Sequence, residues 1–172
     1  FYLSTHSNVN TMIPIEYSTG NLSLGVSQDS IEVEVIELTS FIKKVGHIDL
    51  IRMDIEGYEV EVFRGLKIAI ESGIFSGKIV FECHSPKYDD EKHSIREQLK
   101  MLFNNGYSAK YMTSIREKDS TFHNKNYKPV KTIRTSIDNI QGIYENISNE
   151  DAEYFICDGL GVRDVLLEKK TK

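Results

Sequence analysis

Several classes of protein are excluded by what the chain has little of. Two cysteines, Cys83 and Cys157, stand in 172 residues. They are too few for a disulfide framework, so free thiols and a cytoplasmic setting are expected. No long apolar run occurs, so no transmembrane helix is expected. Phe1-Tyr2-Leu3 gives way at once to polar residues, so no signal peptide is read there either. Without a secretory signal, the N-x-S triplets at Asn21 and Asn146 carry no meaning. Positive charge is not in excess: 21 Lys and Arg face 26 Asp and Glu, for a formal charge of -5. This argues against a nucleic-acid or membrane-surface binder, although a local basic patch falls at residues 116–131. HExxH, zinc-ligand spacing and internal repeats are all missing.

What is present suits one α/β domain. Hydrophobic residues make up 40% of the chain, enough for a real core. The chain does not begin with Met and opens in mid-pattern, as a piece of something longer would. Residues 1–30 are loop-rich with one short strand. Residues 31–115 form a βαβ core, 116–131 a loop that could act as a lid, and 132–172 a C-terminal helix and strand.

Within the core, residues 31–37 alternate β-branched and acidic side chains, as in a strand with one face in water. Thr39 or Ser40 is placed to cap a short helix that Gly46 ends. Ile48, Leu50, Ile51, Met53 and Ile55 then form an almost continuous apolar run, expected as a strand buried on both faces. From residue 59 the period becomes helical through Val60, Phe63, Leu66 and Ile70, and Gly73 closes the helix. Gly65, inside it, is read as a close-packing position. A further strand at 78–84 leads to a third helix starting at Asp89 or Asp90, then a strand at 107–115. Ser148 with Asp151 makes a capping box for a last helix, and a final strand starts at Val162. Such alternation predicts a parallel sheet with helices on its two faces.

The central stretch carries the chemistry. Asp54, Glu56, Gly57 and Glu59 cluster where the apolar strand stops, and ligands of open α/β sheets bind at the carboxyl ends of strands. The run from Asp49 through Asp54-Ile55-Glu56-Gly57-Tyr58-Glu59 to Val62-Phe63-Arg64-Gly65 resembles the signature block of FkbM-type S-adenosylmethionine-dependent methyltransferases, roughly DLIKIDVEGxExxVLxG. Ile79-Val80-Phe81-Glu82-Cys83-His84 is similar to that family's next strand, which ends Glu-x-His. Weaker similarity runs back to about Val33 and forward to about Tyr107.

The resemblance implies a partial Rossmann-like class I methyltransferase fold, mostly parallel, lacking the first strands. The strand at 48–55 would be the fourth of seven, those at 78 and 107 the fifth and sixth, and the one at 162 an antiparallel seventh. It implies S-adenosylmethionine as cofactor and a hydroxyl of a sugar or secondary-metabolite-like substrate as methyl acceptor. In that fold a glycine-rich turn after the first strand and an acidic residue after the second hold the cofactor. No G-x-G follows an apolar strand here, and Gly20 and Gly25 lack the required context. The strand at 48–55 should therefore present an open edge. That edge would pair with a second copy, be covered by residues 1–30, or be completed in a longer protein, which is the most natural outcome.

Asp54, Glu82 and His84 are the expected orienting and basic residues, since an imidazole beside a carboxylate makes a base near neutral pH. Asp54, Glu56 and Gly57 are the expected cofactor contacts, with Gly57 permitting the tight turn. The alternative for Glu56 and Glu59 is that they only favour the helix N-terminus, the stronger reading for Glu59. Asp54, Glu56, Glu82 and His84 could also hold Mg or Mn, but no metal is assigned. His6, His93 and His123 are read as solvated, and Tyr107, Tyr111, Tyr127 and Tyr144 as packing residues. The rival function is a degenerate methyltransferase-like binding or assembly module without cofactor; a metal-dependent hydrolase comes third.

Overall fold

A computed structural model describes residues 2–4, 12, 26–89 and 91–170. A two-stranded antiparallel sheet pairs β1 (Tyr2–Ser4) with β2 (Val26–Ser30). Residues 31–37 form no strand, against expectation, and Ile31, Val33, Val35 and Ile36 are exposed. Alternation supplies strand propensity, but these residues enter no strand ladder among the described residues. Gly20 and Gly25 lie outside the described residues.

The main sheet contains β3 (Leu50–Met53), β4 (Lys78–Glu82), β5 (Tyr107–Ser114), β6 (Lys131–Arg134), β7 (Ile140–Glu145) and β8 (Val162–Lys169), in the order β3-β4-β8-β5-β7-β6. The β3–β4 ladder is parallel and the others are antiparallel, which corrects the expectation of a mostly parallel sheet. β8 inserts between β4 and β5 and runs against both, so β3, β4 and β5 still share one direction. The final strand is antiparallel, as expected, and β3 lies at the open edge.

Among the described residues, four helices, α1 (Leu38–Val45), α2 (Glu59–Glu71), α3 (Ile95–Asn104) and α4 (Asn149–Cys157), pack one against the next. They form a single layer, not the two expected. The strand order advances from β3 towards β5 without reversing, so right-handed crossovers through α2 and α3 land on the same face. Burial along the strands follows from this. Ile79 and Phe81 of β4 and Val162, Val165 and Leu167 of β8 are buried, while the residues between them are partly buried or, at Arg163, exposed. β3 is likewise not buried on both faces: Met53 is buried, but Leu50 is 53% exposed.

Helix ends follow local chemistry. Glu37 caps α1, accepting from Thr39 N and Ser40 N at 2.8 Å each, in place of the expected Thr39 or Ser40. α3 starts at Ile95 behind Ser94, not at Asp89 or Asp90; Asp89 instead bridges to His93, and Asp90 is not described. Ser148 caps α4 as expected, its Oγ accepting from Asp151 N at 3.0 Å. Gly65 is the close contact of α2 with α1: its carbonyl accepts from Thr39 Oγ1 at 2.6 Å, and a Cβ there would sit 3.8 Å from Leu38 Cβ. Gly77, entering β4, is tighter still, since a Cβ would lie 2.5 Å from the Ile48 carbonyl oxygen. The Gly77 carbonyl accepts from Tyr107 Oη at 3.0 Å.

Residues 116–131 are not a loose lid. Two 3-10 turns, Glu117–Asp119 and Thr121–Lys125, dock through buried Phe122, which stacks on Tyr144 at 4.0 Å and lies 4.3 Å from Phe155. The β6–β7 hairpin that follows was not expected.

Candidate active site

The register of the parallel pair builds the site. Met53 lies beside Phe81, so Asp54 and Glu82 end neighbouring strands together. After Asp54 the chain turns through two left-handed residues, Glu56 at φ 56° and Gly57 at φ 97°. Glycine takes this conformation without penalty, but glutamate does not, and such strain tends to collect at functional turns.

Glu59, the first residue of α2, folds beneath this turn. Its side chain is fully buried, and its Oε1 accepts from Ile55 N at 3.1 Å. The same oxygen lies 3.1 Å from His84 Nδ1, and Oε2 accepts from Tyr88 Oη at 3.2 Å. Tyr88 Oη in turn accepts from the His84 backbone N–H at 3.1 Å. The imidazole is thus fixed from one side by a buried carboxylate and a partly buried phenol. Its other nitrogen, Nε2, faces oxygens of Glu56 and Glu82 at 3.7 Å and of Asp54 at 4.0 Å. These distances exceed ordinary hydrogen-bond length, so Nε2 points into a space ringed by carboxylates.

Three cations balance the ring from outside. Arg163 holds Glu82 at 2.6 Å, Arg52 holds Asp54 at 3.2 Å, and Lys87 pairs with Glu56. Burial lowers the pKa of His84, but the hydrogen bond to Glu59 and the charges of Glu59, Glu56 and Glu82 outweigh it, leaving a net rise above 6.5. Burial raises the Glu82 carboxyl; Asp54 adds to this, while Arg163 and His84 oppose it. Burial, then the neighbouring Cys83 and Glu59, holds the Tyr88 phenol well above its usual range. Cys83 is pushed up to about 12 by burial, which leaves it an inert thiol.

The structure therefore brings Asp54, Glu56, Glu82 and His84 together. Gly57 contributes backbone: its carbonyl is 2.7 Å from His93 Nε2. His93 is consequently not solvated, since its Nδ1 also lies 3.2 Å from Glu61. His123 is half-exposed and 2.9 Å from Glu117, and His6 lies outside the described residues. Tyr107 and Tyr144 are core residues, as read. The Cys83 thiol is free of any disulfide. Ligand atoms of Asp54, Glu82 and His84 lie within 4.8 Å of one another, a set that could hold a divalent cation, although Arg52 and Arg163 already balance its two carboxylates.

Glu59, Tyr88 and Arg163 were missed as site residues. For Glu59 the signal was available: a carboxylate at the first position of a helix after a glycine turn can fold back under that turn as easily as face water. Arg163 comes from β8, about eighty residues beyond Glu82 in sequence, and nothing local announces that contact.

The imidazole, braced by a buried carboxylate, stands at the carboxyl ends of two parallel strands, the place where open α/β sheets bind ligands. Comparison with known families sharpens this. The chain belongs to the FkbM methyltransferase family, whose model, the methyltransferase FkbM domain, matches residues 2–109. That span contains every cluster residue except Arg163. No curated protein and no solved structure matches the chain. Among the described residues, no helix is long and apolar enough to cross a membrane.

Proposed function

We propose that the protein is an S-adenosylmethionine-dependent O-methyltransferase acting on a hydroxyl of a sugar or secondary-metabolite-like acceptor. The observation that carries this reading is His84, with Nδ1 held 3.1 Å from buried Glu59 and Nε2 turned to the strand-end opening. A base so oriented, beside a carboxylate able to receive a hydroxyl, is what alcohol methylation requires.

The donor set suits the cofactor's charge. Its ammonium and sulfonium groups are cationic, and Asp54 and Glu56, each also paired with one basic side chain, offer it carboxylate oxygens. The left-handed pair Glu56-Gly57 brings backbone to the same opening. Asp54, Glu56 and Gly57 would hold this end of the cofactor, which supplies an activated methyl group when bound. Glu82 accepts a hydrogen bond from the acceptor hydroxyl, and the Arg163 charge opposes the upward pull of burial on its carboxyl. His84 Nε2 takes the hydroxyl proton, and Glu59 stabilises the resulting imidazolium. Positioning supplies much of the remaining acceleration.

Calorimetric titration of S-adenosylhomocysteine into the protein tests the assignment. Binding, weakened in Asp54→Asn, is the expected result. No heat would leave the binding or assembly module as the function.

The base role also has a pH signature. His84 must be neutral to accept a proton, and its pKa lies above 6.5, so methyl transfer should rise with pH through a midpoint above that value. Glu59→Gln removes the principal raising interaction and should move the midpoint to lower pH. A midpoint that does not move would remove His84 from the proton transfer.

A further inference from the structure

The β6–β7 hairpin leaves an unusual amount of aliphatic side chain in water. Every residue from 130 to 138 is exposed, and so is Ile140. Ile137 is 88% exposed, and Val130, Ile133 and Ile140 are between 39% and 55% exposed. Exposed aliphatics scattered singly are ordinary, but several gathered on one element mark a binding surface. The register shows how they are spread. Ile133 pairs with Gln141 and Arg134 with Ile140, so Ile133 and Ile140 point to opposite faces of the ribbon. Ile137 stands in the turn between the strands, where its carbonyl accepts from Arg134 Nη1 at 2.8 Å. The hairpin lies outside residues 2–109, the part of the chain that matches the family.

Charge here has the opposite sign to that of the whole chain. Residues 116–141 contain six Lys and Arg against three Asp and Glu, in a chain of formal charge -5. Two of the three acids are already engaged: Glu117 accepts from Tyr144 Oη at 2.8 Å, and Asp119 lies 3.8 Å from Arg116. Among the described residues, the ion pairs of this segment involve Arg116, His123 and Lys125. Lys128, Lys131 and Arg134 are exposed and take no part in them. Arg116 and Lys118 line a hollow with Thr132, Asp138 and Ile140, which sets two more cations against the hairpin. Net charge argued against a membrane-surface binder, but screening limits what a nearby surface feels to charges within about 10 Å. Apolar side chains together with unpaired cations are what an anionic bilayer surface retains. A protein partner would offer a patch to one face of the ribbon and leave the isoleucine of the other face in water. Headgroups close round a hairpin from all sides.

We infer that the β6–β7 hairpin docks the protein on an anionic lipid surface, with Ile137 and its aliphatic neighbours entering the headgroup boundary and Lys128, Lys131 and Arg134 meeting the lipid charge. Docking does not depend on what the strand-end cluster catalyses. Asn139 and Gln141 of the hairpin line one cleft together with Glu82, so the docked surface lies beside that cluster.

The test is flotation of the protein with vesicles of equal parts phosphatidylcholine and phosphatidylglycerol, with pure phosphatidylcholine vesicles as the control. The expected result is binding to the anionic vesicles, little binding to the neutral ones, and a decline as salt is added. Ile137→Ser should weaken binding about tenfold, the effect of withdrawing one large aliphatic side chain from an apolar phase. Lys128→Glu combined with Lys131→Glu should weaken it about tenfold or more through charge alone. All three side chains are exposed, so the melting temperature of each variant should match that of the unaltered protein and serves as the folding control. No binding to anionic vesicles, or equal binding to neutral ones, would overturn the inference. Binding that falls with salt yet is unchanged in Ile137→Ser would overturn it too, leaving a general attraction for polyanions. Light scattering covers the remaining occupant: a dimer that Ile137→Ser converts to a monomer would assign the hairpin to a second copy of the chain and overturn the lipid assignment.

Discussion

Exchanging His84 for asparagine is expected to lower methyl transfer by roughly 10²- to 10⁴-fold, the usual contribution of a positioned acid–base group, while the protein stays folded. Asparagine is smaller than histidine and can still offer an amide N–H to Glu59, so the buried carboxylate is not stranded. Tyr88 Oη remains on the other oxygen, at 3.2 Å. What asparagine cannot do is accept a proton at the position of Nε2. The measurement is single-turnover transfer of a labelled methyl group at saturating acceptor, with the circular-dichroism spectrum as the folding control. A loss confined to kcat, with acceptor KM little changed, is the outcome that fits a base. A loss below about tenfold would make His84 a spectator and pass the proton to Glu82 or Asp54.

The second large effect concerns stability. Phe81 of β4 is wholly buried and meets Phe63 of α2 edge to face, with ring centroids 5.3 Å apart. Phe81→Ala removes that contact and leaves a cavity, at an expected cost of about 3–5 kcal/mol. Domains of this kind are stable by only about 5–15 kcal/mol, so the variant should unfold at a clearly lower urea concentration. A cost under about 1 kcal/mol would mean that α2 does not pack on β4 as described. Phe81 directly precedes Glu82, so the same cavity should loosen the site.

How much of this was legible in the sequence depended on where the determinants lay. The β3-turn-α2 unit was clear because its period changes from strand to helix within a few residues, at Gly57. Ser148 announced α4 through a local side-chain bond. The β6–β7 hairpin was not visible, since all four residues of β6 are exposed and give no alternation to read. The same holds for the insertion of β8 between β4 and β5, a long-range pairing that no local pattern encodes. Within the site, Asp54, Glu56, Glu82 and His84 were found because strand ends are where open sheets bind ligands. Glu59 was assigned to the helix dipole because sequence does not say whether a carboxylate turns outward or folds under the turn. Its complete burial settles that it folds under.

Gly77 gives the site a distant point of control. The missing side chain lets β4 enter hard against the backbone of residues 48–49, and the pairing then runs in step to Met53 beside Phe81. From Gly77 to Glu82 is five residues, roughly 16 Å at the usual rise of a strand. The facing of Asp54 and Glu82 is therefore decided at the opposite rim of the sheet, much as the near end of a ruler fixes where its far marks fall. A methyl added at residue 77 would press on the backbone of residues 48–49 just before β3, and the misalignment would appear among the carboxylates.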